Sequence, residues 1–212
     1  MRAVAEGFRE FRSRFLGRLQ GVWRREAAAP EPPLRAELFG ADQMAGHGKV
    51  LAEAHSPAPG RAVPDGLLAR LDDNERTLIE VCKLLTGAVA GNRRIAPAGE
   101  WLLDNFHLIE AQLTQIREGL PRRYFRELPV LVDPPLAGLP RVYGVAWAFV
   151  AHTDGAFDDG LLAAFLGAYQ ETRELRLSEM WAMPTTLRVV LIENLRRLAE
   201  RVATNKAARE IA

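Results

Sequence analysis

PAGEWLLDNFHLIEAQLTQIREGLP, residues 97–121, reads as one amphipathic helix. Pro97 suits a first helical turn, where its missing amide donor has no partner to lose, and Gly119 and Pro121 stop the run. Between them Leu102, Phe106, Ile109, Leu113 and Ile116 recur at the three-to-four-residue interval that places side chains on one face. Trp101, Leu103 and Leu108 widen that apolar surface, which predicts a helix packed on several sides at the centre of its domain.

The neighbouring segments keep the same period. From Asp65, a common N-cap residue type, Leu67, Leu71, Leu78, Cys82, Leu85 and Val89 make a second stripe that stops at Gly91. Residues 142–151 are short and apolar, and their alanines and helical surroundings favour helix over an isolated strand. Asp158 caps a helix bearing Leu161, Leu162, Phe165, Leu166 and Tyr169. A last helix runs from Ser178 past Arg201, with Pro184 expected to kink it. There Leu187, Leu191, Leu195, Leu198 and Val202 form the main apolar stripe. Glu193 points away from it, toward Ala182, Thr186, Val189 and Val190, and is expected to be half-buried against another helix and paired to an arginine. The fold class is all-α, a multi-helix bundle.

Residues 4–25 place Phe8, Phe11, Phe15, Leu19 and Val22 at helical spacing among arginines, a basic amphipathic helix. Ala29-Pro30-Glu31-Pro32-Pro33 breaks it, and Ser56-Pro57-Ala58-Pro59-Gly60 repeats the punctuation. The expected division is a basic helix at 1–28, a linker with a short helical piece at 29–63, and a helical domain at 64–212. Residues 124–140, rich in proline, read as an ordered connector.

Apolar residues make up 48% of the 212, enough for a sizeable core, and 28 basic against 27 acidic residues leave no global field for a nucleic acid. Cys82 is the only cysteine, which excludes an intrachain disulfide and any multi-cysteine metal site. No uncharged stretch approaches the roughly 20 apolar residues of a spanning helix, and the first residues lack a secretory pattern, so a cytoplasmic location is expected.

Three constellations could carry chemistry. Glu100, Asp104 and His107 fall on one helical face, where a carboxylate could meet an imidazole, although a solvated face looks the same. His152-Thr153-Asp154-Gly155 could be a catalytic loop, but helix termination explains it better. Glu193 and Asn194 read as part of a structural ion pair. No phosphate-binding glycine loop, no HExxH sequence and no nucleophile with base and orienter is present, so no catalytic residue, metal or cofactor is assigned.

The stretch EWLLDNFHLIE at 100–110, with Arg126-Glu127-Leu128-Pro129, Gly138-Leu139-Pro140-Arg141-Val142-Tyr143, Ala151-His152-Thr153-Asp154, Glu179-Met180-Trp181-Ala182-Met183-Pro184 and LIENLRRL at 191–198, resembles the leader region of the cyclic beta-1,2-glucan synthases. The motifs are specific, occur in the family's order and cover about half the chain. Those synthases are very large membrane-embedded bacterial proteins that polymerise glucose from UDP-glucose, cyclise the product and trim it in separate catalytic regions. The resemblance implies a place in glucan synthesis beside such regions, as a fragment of a larger whole. The polar and aromatic motif residues it singles out, without a role, are Trp101, Asp104, Asn105, His107, Arg126, Glu127, Arg141, Tyr143, His152, Asp154, Trp181, Glu193 and Asn194.

Three functions fit. The first is a non-catalytic accessory region whose partners are a synthase's catalytic parts or another copy of itself. The second is a free-standing protein that lies on an anionic membrane surface, at the inner face of the bacterial inner membrane, through residues 1–28. The third is a small sugar-binding or sugar-active domain using Trp101, Trp147 and Trp181, although four tryptophans in a helical core need no ligand. The first leads, and in it Asp104, His107, Arg141, His152 and Glu193 serve folding and docking.

Overall fold

The computed structural model describes residues 37–58, 66–121, 124 and 127–209. The basic helix expected at 1–28 and the proposed N-cap Asp65 lie outside the described residues. Among those described, seven helices occur in the order α1 (Ala41–Ala54), α2 (Gly66–Ala90), α3 (Pro97–Asp104), α4 (Phe106–Gly119), α5 (Arg141–Ala151), α6 (Asp159–Thr172) and α7 (Leu177–Arg209). The all-α class stands. Two short strands, β1 (Pro57–Ala58) and β2 (Val130–Leu131), pair antiparallel with Ala58 opposite Val130, fastening the proline-rich connector to the joint after α1.

α5 is the axis of the molecule. Nearly every residue from Arg141 to Ala151 is buried, because the helix carries apolar or small side chains all round. α7 packs against it and against α2, with α3 and α4 beyond. α1 lies along α6 so closely that a Cβ on Gly48 would come 2.5 Å from the Phe165 carbonyl oxygen. Met44 and Ala52 are fully buried on the same face. The short helical piece assigned to a linker therefore shares the core of the domain.

Helix ends follow local chemistry. Asp158 Oδ1 accepts the Leu161 amide at 2.8 Å, the expected cap. α2 ends near Gly91, and the left-handed residue that turns the chain is Asn92, at φ 56°.

The single helix expected over 97–119 is two helices. Asn105 sits at φ −104°, ψ 8°, outside helical values, and its side-chain amide donates to the Trp101 carbonyl at 2.8 Å. The Asn105 backbone amide donates to the same carbonyl at 3.0 Å, so the last turn of α3 closes on this residue and α4 starts afresh after it. Trp101 and Leu108 then face solvent, so this element lies at the surface of the domain and is not packed on several sides. Trp181 is also exposed, so the four tryptophans do not form a core set.

Of the apolar stripe expected on α7 only Leu187 is buried, and the face opposite makes the tighter contact. Thr186, Val189, Val190 and Glu193 are fully buried, whereas Leu191, Leu195 and Val202 are half-buried and Leu198 is exposed. Small and β-branched residues let α7 approach α5 and α2 closely, which outweighs the larger apolar content of the leucine row.

Candidate functional site

Two buried charge networks flank α5. At its first turn, Arg141 Nε donates to Glu179 Oε1 at 2.8 Å, and Nη2 donates to Glu179 Oε2 and to the Glu174 carbonyl at 3.0 Å. Glu179 Oε2 also accepts the Arg176 amide at 3.0 Å, capping the start of α7. The side chains are 4% and 0% exposed, so the pair depends on the hydrogen bonds that Nε, Nη2 and both carboxylate oxygens make. Burial alone would lower the pKa of Arg141, but the bonds and charge of Glu179 outweigh it and raise it.

Tyr169 of α6 extends this network to α1. Its hydroxyl lies 2.9 Å from His55 Nδ1. Burial pushes the Tyr169 phenol up to about 12, and burial, with the charges of Arg141 and Arg173, lowers His55 to about 4. A protonated phenol thus shares one hydrogen bond with a neutral imidazole, whose tautomer sets which of the two donates. Gly144 leaves the room, since a Cβ there would sit 3.4 Å from the His55 ring and 2.7 Å from Leu131.

The second network centres on Glu193. Arg70 of α2 donates to both its oxygens, at 2.7 and 2.6 Å, and the Tyr143 hydroxyl donates to Oε2 at 2.9 Å. Arg197 adds a longer contact at 3.4 Å and stacks its guanidinium 4.8 Å above Trp147. Burial presses the Glu193 carboxyl upward, yet Arg70, followed by Arg196 and Arg197, holds it below its ordinary value. Burial and the Glu193 charge raise the Tyr143 phenol well above its own. The Glu193 carboxylate is thus held as an anion, and Glu193 and Glu179 are each embraced by a bidentate arginine.

The expected pairing of Glu193 with an arginine is present, with complete rather than partial burial. Arg141 and Tyr143 join these networks. Asn194 is half-buried where the Gly155 backbone passes. His152 closes α5, and its Nδ1 lies 2.7 Å from the Glu37 carbonyl oxygen while its ring stacks on Phe39 at 3.8 Å. Thr153 Oγ1 donates to the Val150 carbonyl, and Asp154 and Gly155 take left-handed values, φ 52° and 75°. This is the geometry of a helix stop.

Glu100, Asp104 and His107 are all exposed and are not brought together; the Asn105 break changes the phase of the helical face they were expected to share. Glu127 is exposed in a turn, and Arg126 lies outside the described residues. Among the described residues no group of three metal-ligating side chains converges, and no helix is long and apolar enough to cross a membrane.

Glu179, Arg70, His55 and Tyr169 were not singled out from the sequence as site residues. Glu179 stands inside a quoted motif, but its partner lies 38 residues away. Arg70 lies between the apolar positions Leu67 and Leu71, the one available sign that it reaches inward.

Over 176 residues the chain is 36% identical to cyclic beta-(1,2)-glucan synthase NdvB of Rhizobium meliloti (strain 1021), a match that takes in 83% of this chain. The chain is related to one region of the cyclic beta-(1,2)-glucan synthases. It spans only 6% of the length of that synthase, and no protein-family model matches it.

Proposed function

We propose that this chain is a non-catalytic accessory region of a cyclic beta-(1,2)-glucan synthase-like protein, a rigid helical body that presents surface to the parts that make glucan. The observation that carries this reading is the fate of the motif acids. Glu193 is wholly buried, and so is Glu179 in a neighbouring motif; their oxygens are taken by Arg70, Tyr143, Arg141 and the Arg176 amide. A general acid or base must reach a substrate proton, and a nucleophile must reach carbon. Groups held this way serve packing and specificity of fold.

The test uses a complete synthase carrying this chain in place of its own matching region. Arg141→Met and Glu193→Gln should lower the yield of monodisperse protein more than the glucan made per folded molecule. A variant that melts like the parent and yet loses nearly all turnover would make its residue catalytic or substrate-binding and end the accessory reading.

A further inference from the structure

α5, α2, α4 and α3 pack against α7 and leave one line along its length open. Along that line stand Leu177, Trp181, Pro184, Arg188, Leu191, Leu195 and Leu198, alternately four and three residues apart. Leu177 is 69% exposed, Trp181 73% and Leu198 40%, with Leu191 and Leu195 half-buried between. This alternation keeps a row of side chains turned toward a second helix along its length. An apolar row open to solvent, crossed here by one arginine, marks a partner surface.

Charge selects the occupant. Arg188 interrupts the row, Arg176 and Arg201 flank it, and all three reach solvent with no acidic partner among the described residues. The acids of the same helix are already committed, Glu179 to Arg141, Glu193 to Arg70 and Glu200 to Arg196. A second copy laid along the row fits poorly, because Arg188 stands near its midpoint and a twofold pairing brings like guanidiniums together. The chain's own residues 1–28 carry seven arginines against three glutamates and would repel it as well.

We propose that the open row of α7 docks an acidic amphipathic helix, with apolar residues at the matching four-three spacing and a carboxylate opposite Arg188. A planar guanidinium on the row then gains a bidentate partner, which sets both the position and the sign of the helix that fits. This names the partner surface of the accessory region and rests on that reading only for where the helix comes from.

The experiment titrates the intact chain into two labelled synthetic helices, each about four heptads long with leucine at both seam positions. One has glutamate flanking the seam and facing Arg188, and the other has lysine. Fluorescence anisotropy should show the glutamate peptide bound about tenfold or more tightly than the lysine peptide. Arg188→Glu should reverse the preference. Trp181→Ser with Leu198→Ser should abolish binding while melting like the parent, since both residues are exposed.

Equal affinity for the two peptides, no binding of either, or no reversal with Arg188→Glu overturns the proposal. So does self-association in sedimentation that vanishes in the double variant, which would make the occupant a second copy. Capture by phosphatidylglycerol vesicles through the same residues, with no peptide bound, would make it a lipid surface. None of these results touches the test of the accessory reading, which measures glucan per folded synthase.

Discussion

Two sets of charged residues in this molecule are built from the same chemistry and behave differently. Around α5, Arg141, Glu179, Arg70 and Glu193 lie in the interior with each oxygen and guanidinium matched. On α3 and α4, Glu100, Asp104 and His107 stand in water. From the sequence the second set was the one whose members could be seen to share a face, since its spacing is local and visible, although a solvated face looks the same. The first depends on partners 38 and 123 residues apart, which only the packing of helices brings together. Local spacing finds neighbours; it does not tell which side of a helix is wet.

The sharpest way to break this contrast is Arg141→Met. It leaves Glu179 as an unpaired anion in the core, and loss of one partner of a buried pair costs about 3–5 kcal/mol. Urea denaturation of parent and variant measures it. A cost comparable to that of a surface substitution would mean that the interior pair is hydrated and the contrast false.

Acid should probe the same network through His55. Its folded pKa of about 4 lies below the ordinary 6.5, so the unfolded chain takes the proton first as pH falls. The stability due to the neutral imidazole is complete above pH 6.5 and lost progressively down to about pH 4, about 3 kcal/mol in all. His55→Gln should flatten melting temperature against pH in that window. It should leave the further loss below the ordinary carboxylate range, where Glu193, depressed in the fold, takes up its proton.

Glu193→Gln should cost somewhat less than Arg141→Met, about 2–3 kcal/mol, because the Arg70 side chain left behind is 25% exposed and partly hydrated. Measuring both by denaturation grades the interior from its driest pair to its wetter one. At the far end, Asp104→Asn and His107→Gln should each change stability by no more than about 0.5 kcal/mol, as surface substitutions do. A larger loss at either would show that a partner covers this face.

The elements were legible where one face of a helix outweighed the other. The stripe Leu67, Leu71, Leu78 and Leu85 is buried as expected, and Asp158 caps as its type suggests. Asn105 was not legible as a break, because asparagine is tolerated in helices and its bond to the Trp101 carbonyl shows only in three dimensions. α7 misled in a more instructive way. Counting apolar atoms picked out the leucine row as the buried face, yet contact with α5 and α2 selected Thr186, Val189 and Val190, whose short side chains allow close approach. Of the site, the pairing of Glu193 with an arginine could be anticipated from an acid among apolar neighbours. The identity of that arginine could not.

The contact of α1 with α6 bears on where this polypeptide can be divided. The backbone at Gly48 lies against that at Phe165, the Arg173 guanidinium donates to the Ala52 carbonyl at 2.8 Å, and His55 hydrogen-bonds the Tyr169 hydroxyl. One partner of each contact lies before Pro59 and the other beyond Gly66. A backbone cut between Ala58 and Gly66 breaks none of these contacts, so the two pieces retain what is needed to recognise each other without a covalent link. Discarding the first piece is a different operation. It strips an apolar wall from Phe165 and removes the hydrogen-bond partner of a buried phenol, turning the remaining helices into a body with an open side.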